Sequence, residues 1–158
     1  MKGKTFLSII VAVMWLAVSS QLFAADAIIG TWKLNVSKSK YDPGPPPKSA
    51  TVTYAATADG GYKRTGETIA ADGKKTSVEY TAKYDGKDYP VTGSDLFDSI
   101  AVKSINDHTA EASLKKGGKV VRSAKREISH DGKVMTIIMT GTNEKGEKVH
   151  YKAVYDKQ

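Results

Sequence analysis

Two arginines on one strand-like segment carry the most chemistry in this chain. Over residues 119–129, turning Val120, Ala124 and Ile128 to the inner face of a strand also turns Arg122 and Arg126 inward. Val121, Ser123, Lys125, Glu127 and Ser129 then lie outside. An interior guanidinium needs carboxylate, hydroxyl or water partners, because burying it unpaired costs several kcal/mol. Alternation supplies inward hydroxyls: Val52, Tyr54 and Ala56 share a face, as do Val78, Tyr80, Ala82 and Tyr84, and Val149, Tyr151, Ala153 and Tyr155. Arginines beside tyrosines can hold the anionic head of an amphipathic molecule whose tail lies along Trp32, Tyr54, Val78, Tyr80, Ile138 and Tyr151. The alternative is structural, with the arginines reaching the mouth of the fold and stacking on aromatic rings.

Other chemistries find no cast. His108 and His130 sit at turns and His150 alternates with the core face, so all three are expected in solvent, and no pair has zinc-ligand spacing. Neither a Gly-x-Ser-x-Gly elbow nor an Asp-x-Asp-x-Asp-Gly calcium loop occurs. Carboxylates fall mainly in turns and outward positions. The chain therefore reads as non-enzymatic, without metal or cofactor. Nucleic-acid binding needs exposed aromatic platforms beside basic residues, whereas the strand tyrosines here turn inward.

The elements that must position these side chains are written in the turns. Asp59-Gly60-Gly61, Asp72-Gly73, Asp85-Gly86, Asn106-Asp107, Lys116-Gly117-Gly118, Asp131-Gly132 and the segment 143–146 recur every ~10 to 15 residues, as hairpin turns do. Between them, residues 28–36, 50–57, 62–70, 76–84, 87–91, 97–105, 109–115, 119–129, 133–142 and 148–155 carry β-branched or aromatic side chains. Hairpins this short join antiparallel neighbours, and a sheet this wide is expected to close on itself rather than leave two long edges. The predicted fold is all-β, an antiparallel up-and-down β-barrel of about eight to ten strands.

Residues 37–49 form the one long early connection, and Asp42-Pro43-Gly44-Pro45-Pro46-Pro47 within it reads as a stiff extended loop. A second irregular spot is expected over residues 90–95. Segment 133–142 is apolar on both faces, Val134 and Ile138 on one, Met135, Ile137 and Met139 on the other, so one set must face away from the barrel.

Residues 1–25 read as a cleavable export signal, with Lys2 and Lys4 ahead of an apolar run at 6–18 and Leu22-Phe23-Ala24-Ala25 at the cleavage site. That run falls short of the ~20 residues that span a bilayer. Residues 26–158 are then expected as one periplasmic or secreted domain, not an integral membrane protein. With Cys 0, no disulfide, thiolate metal site or lipid-bearing cysteine is available. The net charge of +7 stays basic once Lys2 and Lys4 are removed, and the lysines spread over hairpin tips such as Lys74-Lys75 and Lys115-Lys116. Such a surface is well solvated, and it suits an envelope protein or anionic surface polymer as partner.

Gly30-Thr31-Trp32-Lys33-Leu34 resembles the opening of the calycins, the lipocalin and fatty-acid-binding protein group. Lys125-Arg126-Glu127-Ile128, the turn Asp131-Gly132-Lys133 and the closing Val154-Tyr155-Asp156-Lys157 are similar to the last three strands of fatty-acid-binding proteins. The resemblance implies that Arg126 binds a ligand carboxylate, that Tyr155 assists it, and that Trp32 packs the closed end. Ala153 stands where the family's second arginine would, which leaves Arg122 to supply that charge. The family's helical lid is replaced by residues 37–49. The whole mature chain, including Tyr84-Asp85-Gly86-Lys87-Asp88-Tyr89-Pro90-Val91-Thr92-Gly93, also resembles small exported bacterial proteins of unassigned function.

The candidate ligand-binding residues are thus Trp32, Tyr54, Tyr80, Arg122, Arg126, Tyr151 and Tyr155. Two readings follow: a lipid-binding or similar carrier for a small hydrophobic or amphipathic ligand, or an envelope module with a filled core acting through its basic exterior. An internal cavity of roughly 300 Å³ or more is what the first requires and the second lacks.

Overall fold

Turn chemistry sets the strand order. The computed structural model describes residues 25–143 and 145–158, so the export signal expected over residues 1–25 lies almost wholly outside the described residues. The strands are β1 (Gly30–Leu34), β2 (Lys40–Asp42), β3 (Ser49–Ala56), β4 (Tyr62–Ile69), β5 (Lys75–Ala82), β6 (Asp85–Thr92), β7 (Ser99–Asn106), β8 (Thr109–Lys116), β9 (Lys119–Ile128), β10 (Val134–Thr142) and β11 (Lys148–Lys157). Helical structure among the described residues is confined to single turns, α1 (Ala25–Ile28) and a 3-10 turn at Val36–Lys38. All 11 strands join one antiparallel sheet, in which β3 to β11 follow one another in sequence order. β1 pairs with β3 on one side and with β11 on the other, Leu34 opposite Tyr155 and Trp32 opposite Lys157, which closes a barrel of ten strands. Closure removes the open edges that a sheet of this width would otherwise expose.

Register carries the side chains inward in continuous rows. Trp32, Val52, Gly66 and Val78 lie opposite one another across β1, β3, β4 and β5, and Tyr54, Arg64, Tyr80 and Val91 form the next row. Ile28, Trp32, Val52, Tyr62 and Met135 are the largest fully buried side chains. The α1 turn tucks Ile28 under the first strand, where its carbonyl accepts a hydrogen bond from Trp32 Nε1 at 2.7 Å. Lys157 lies over the Trp32 ring at 5.1 Å and donates to Ala27 O. This end of the barrel is therefore shut by its own terminal segments.

The structure corrects several expectations. The connection 37–49 is not wholly irregular, since β2 pairs along β11, with His150 opposite Asp42 and Lys152 opposite Lys40. The preceding 3-10 turn lies against Val154: Asn35 N–H donates to Val154 O at 2.8 Å and Val154 N–H to Ser39 Oγ at 2.9 Å. That contact covers an outward valine, which is only 6% exposed.

Val120 does not face inward. The β8–β9 register jumps from Leu114 opposite Arg122 to Lys115 opposite Val120, so Val121 is an extra residue and Val120 is flipped outside, 56% exposed, while Arg122 stays in. Ile138 likewise faces out, 37% exposed, because Met135, Ile137 and Met139 are the set that turns inward. It cannot contribute to a ligand tail site.

Asp85-Gly86 makes its turn at the very start of β6, where Gly86 takes φ +73° and Asp85 Oδ1 accepts from Lys87 N–H, and the irregular connection is 93–98 rather than 90–95. Pro90 is tolerated inside β6 because Val91 N–H bonds Asp98 O on the β7 side, leaving the proline's missing N–H toward β5. There the ladder is open, pairing only Glu79 with Thr92 and Tyr80 with Val91. His108 is half-buried rather than fully solvated: its Nδ1 is shielded and has no hydrogen-bond partner among the described residues, with the His130 ring 4.8 Å away.

Candidate functional site

Three alanines make room inside the barrel. Ala110 and Ala112 on β8 and Ala124 on β9 occupy inward positions where larger residues would fill the space. They border a cavity of about 140 Å³ whose wall is otherwise apolar along Val78, Ile100, Leu114, Ile137 and Met139. Phe97, from the connection between β6 and β7, completes it on the side away from Trp32. The polar residues of the wall are Tyr54, Tyr62, Arg64, Tyr80 and Arg126, together with Glu111, itself an exposed residue of β8.

Arg126 is held among tyrosine rings. Its Cζ lies 5.5 Å from the Tyr84 ring centroid, 5.6 Å from that of Tyr54 and 5.9 Å from that of Tyr62, and Nη2 donates to Tyr84 Oη. The negative faces of those rings favour the cation. Burial works against its charge, but the oxygens of Tyr54, Tyr84, Tyr62 and Tyr80 more than offset it, so its pKa is raised and it stays ionised. Nε is shielded from solvent and has no hydrogen-bond partner among the described residues. Such groups are expensive to leave unmade in a native fold.

Arg64 is a second interior guanidinium. It stands on β4 between Tyr54 and Tyr80, its Cζ 5.6 Å from the Tyr80 ring and Nη1 donating to Val78 O at 3.3 Å. Burial again opposes the charge, while Tyr54, Tyr80 and Tyr155 outweigh it and raise the pKa. Gly66, two residues on and on the same face, leaves open the space this guanidinium fills. Burial pushes the Tyr62 and Tyr80 phenols up, so both are protonated donors at neutral pH. The ion pairs among the described residues all use lysine, as in Lys115–Asp88 at 2.7 Å and Lys63–Glu79 at 2.9 Å on the outside. Neither Arg64 nor Arg126 has a carboxylate within pairing distance among those residues.

The structure brings three of the seven sequence candidates, Tyr54, Tyr80 and Arg126, into one cavity wall. Arg122 is separated from the cavity by Met139: its Nε donates to Thr142 O at 3.1 Å, Nη1 approaches Met139 Sδ at 3.8 Å, and its Cζ lies 5.7 Å from the Tyr151 ring. Tyr151 in turn packs on Tyr41 of β2 at 5.0 Å. Trp32 packs the shut end. Tyr155 sits opposite Leu34 and Met135, and the charged neighbour that acts on it is Arg64.

Tyr62 and Arg64 are the wall residues that alternation overlooked. The two faces of β4, Tyr-Arg-Gly-Thr and Lys-Thr-Glu-Ile, are both mixed, so only the pairing of Arg64 with Tyr54 and Tyr80 decides which is inside.

Among the described residues no cluster of three or more His, Cys, Asp or Glu could hold a metal, and no helix is long and apolar enough to cross a membrane. Strand order and closure define an antiparallel up-and-down barrel, with no helical lid among the described residues. No protein-family model matches the chain, and no curated protein matches it either. Among solved structures it is similar to a redesigned β-barrel, b11L5F_LGL, at 14% identity over 89% of this chain and 99% of that one, TM-score 0.49. It is also similar to EF1p2_mFAP2b bound to DFHBI, at 10% identity over 85% of this chain and 97% of that one, TM-score 0.49. A third is the tryptamine complex of the amine binding protein of Rhodnius prolixus, at 15% identity over 81% of this chain and 62% of that one, TM-score 0.41.

Proposed function

We propose that the chain is an exported, non-catalytic binding barrel for a small amphipathic molecule, with a compact apolar body in the cavity and an anionic head on Arg126. The observation that carries this reading is the Arg126 guanidinium in a cavity wall, with no carboxylate within pairing distance among the described residues. Export rests on the leader read in residues 1–25.

Size narrows the ligand. A cavity of about 140 Å³ misses the roughly 300 Å³ expected of a carrier for a drug-sized or fatty ligand, and is close to the ~150 Å³ that admits benzene. One ring or a short branched chain fits, whereas a long acyl tail does not, so the fatty-acid ligand implied by the calycin resemblance gives way to a smaller one. Sign narrows it further. A cationic head would meet two guanidiniums, Arg126 and Arg64, while a carboxylate or similar oxyanion completes their hydrogen bonds.

Calorimetric titration of benzoate into the protein and into Arg126→Gln tests the reading. Saturable binding that weakens about tenfold or more in the variant is expected, the scale of one charge-assisted hydrogen bond. Equal binding by both would remove Arg126 from the site. No binding by either would favour a module that acts through its basic exterior.

A further inference from the structure

We propose that the cavity's ligand carries a doubly charged, phosphoryl-type head, held jointly by Arg126 and Arg64. This rests on the binding-barrel reading and adds the charge of the ligand to it.

Lysine and arginine are treated differently in this protein. The ion pairs of the exterior join lysines to carboxylates, whereas two arginines line one interior cavity without a carboxylate partner among the described residues. Phenol rings soften that burial, but a phenol has no charge to give at neutral pH. A single carboxylate would neutralise one guanidinium and leave the other uncompensated. Two negative charges neutralise both.

Position favours one head over two separated ones. Tyr54 serves both cations, its ring 5.6 Å from Arg126 Cζ and its phenol stabilising the Arg64 charge. Tyr62 links them through its contacts with Arg126 and with Tyr80, whose ring centroid is 6.2 Å away and which lies beside Arg64. A tetrahedral oxyanion presents several acceptors to such a surround, enough for the Arg126 and Arg64 forks together. Gly66 supports this arrangement, because any side chain there would displace the Arg64 guanidinium.

Phenyl phosphate and benzenesulfonate make the test, since the two share a one-ring body and a tetrahedral head but differ in charge above pH ~6. In calorimetric titrations at pH 8, phenyl phosphate should bind the wild-type protein about tenfold or more tighter than benzenesulfonate. Arg64→Gln should abolish that preference by weakening phenyl phosphate far more than benzenesulfonate. Gly66→Ala, which keeps the charge but moves it, should reduce the preference too. At pH 5 the wild-type preference should collapse as the phosphate takes up its second proton. If both probes bind the wild type equally, the dianion proposal is overturned and the binding-barrel reading stands. If neither binds, both fall.

Discussion

Gly66 and Arg64 fit each other on the inner face of β4: a Cβ at position 66 would stand 2.6 Å from Arg64 Nη1 and 2.8 Å from its Cζ. The bare backbone at Gly66 is what lets the guanidinium fold along its own strand into the cavity wall. Gly66→Ala should move that flexible tip without unfolding the barrel. We expect a stability change within about 1 kcal/mol, the overpacking being partly offset by lower backbone entropy in the unfolded chain. Urea denaturation measures it, and failure to fold would show that Arg64 has nowhere else to go.

The two interior arginines should not be there for stability. Replacing a buried charge with an apolar side chain of similar length is often neutral or stabilising by about 1 to 4 kcal/mol. Arg64→Met and Arg126→Met should therefore leave the urea midpoint unchanged or raise it, while ligand affinity falls. A loss of about 3 kcal/mol or more in either variant would make the arginine a structural stack on its tyrosines instead.

The faces of β10 should behave as opposites. Ile138→Lys places a cation on the exterior, where substitutions usually cost less than about 0.5 kcal/mol. Met135→Lys places one where the side chain is 0% exposed, against Ile128 and Tyr155, and should abolish folding. Comparable thermal midpoints for the two would overturn the assignment of inside and outside.

Alkali should unfold the protein through its buried phenols. Burial pushes Tyr155 up to about 12, with Arg64 pulling partly the other way, while in the unfolded chain the residue titrates near its ordinary value of 10.0. The unfolded state thus loses its proton first, and the stability contribution present below pH 10 is lost as the pH rises toward 12. Denaturation midpoints should fall across that window, and Tyr155→Phe should flatten the fall. A midpoint already declining below pH 9 would point to another group.

Much of this fold was legible in the turns, because Asp-Gly and Gly-Gly pairs dictate where antiparallel neighbours reverse. The site was less so. Alternation placed Tyr54, Tyr80 and Arg126 inside correctly because their strands have one clearly apolar face. It failed at Val120, where the extra residue Val121 resets the register with no glycine or proline to announce it. It was mute at Arg64, whose strand has two mixed faces, and at Ile138, whose strand has two apolar ones. Cavity volume depends on how three alanines and a ring of tyrosines meet across seven strands, a long-range quantity that no local pattern encodes.

Arg126 and Arg64 should meet one ligand together. Their Nε–Hε resonances, followed by NMR while phenyl phosphate is added, report on both guanidiniums at once. The two resonances should move downfield along a single saturable curve, with the Tyr54 and Tyr62 ring signals following. Saturable binding that shifts distant surface amides while both Nε–Hε signals stay still would contradict it.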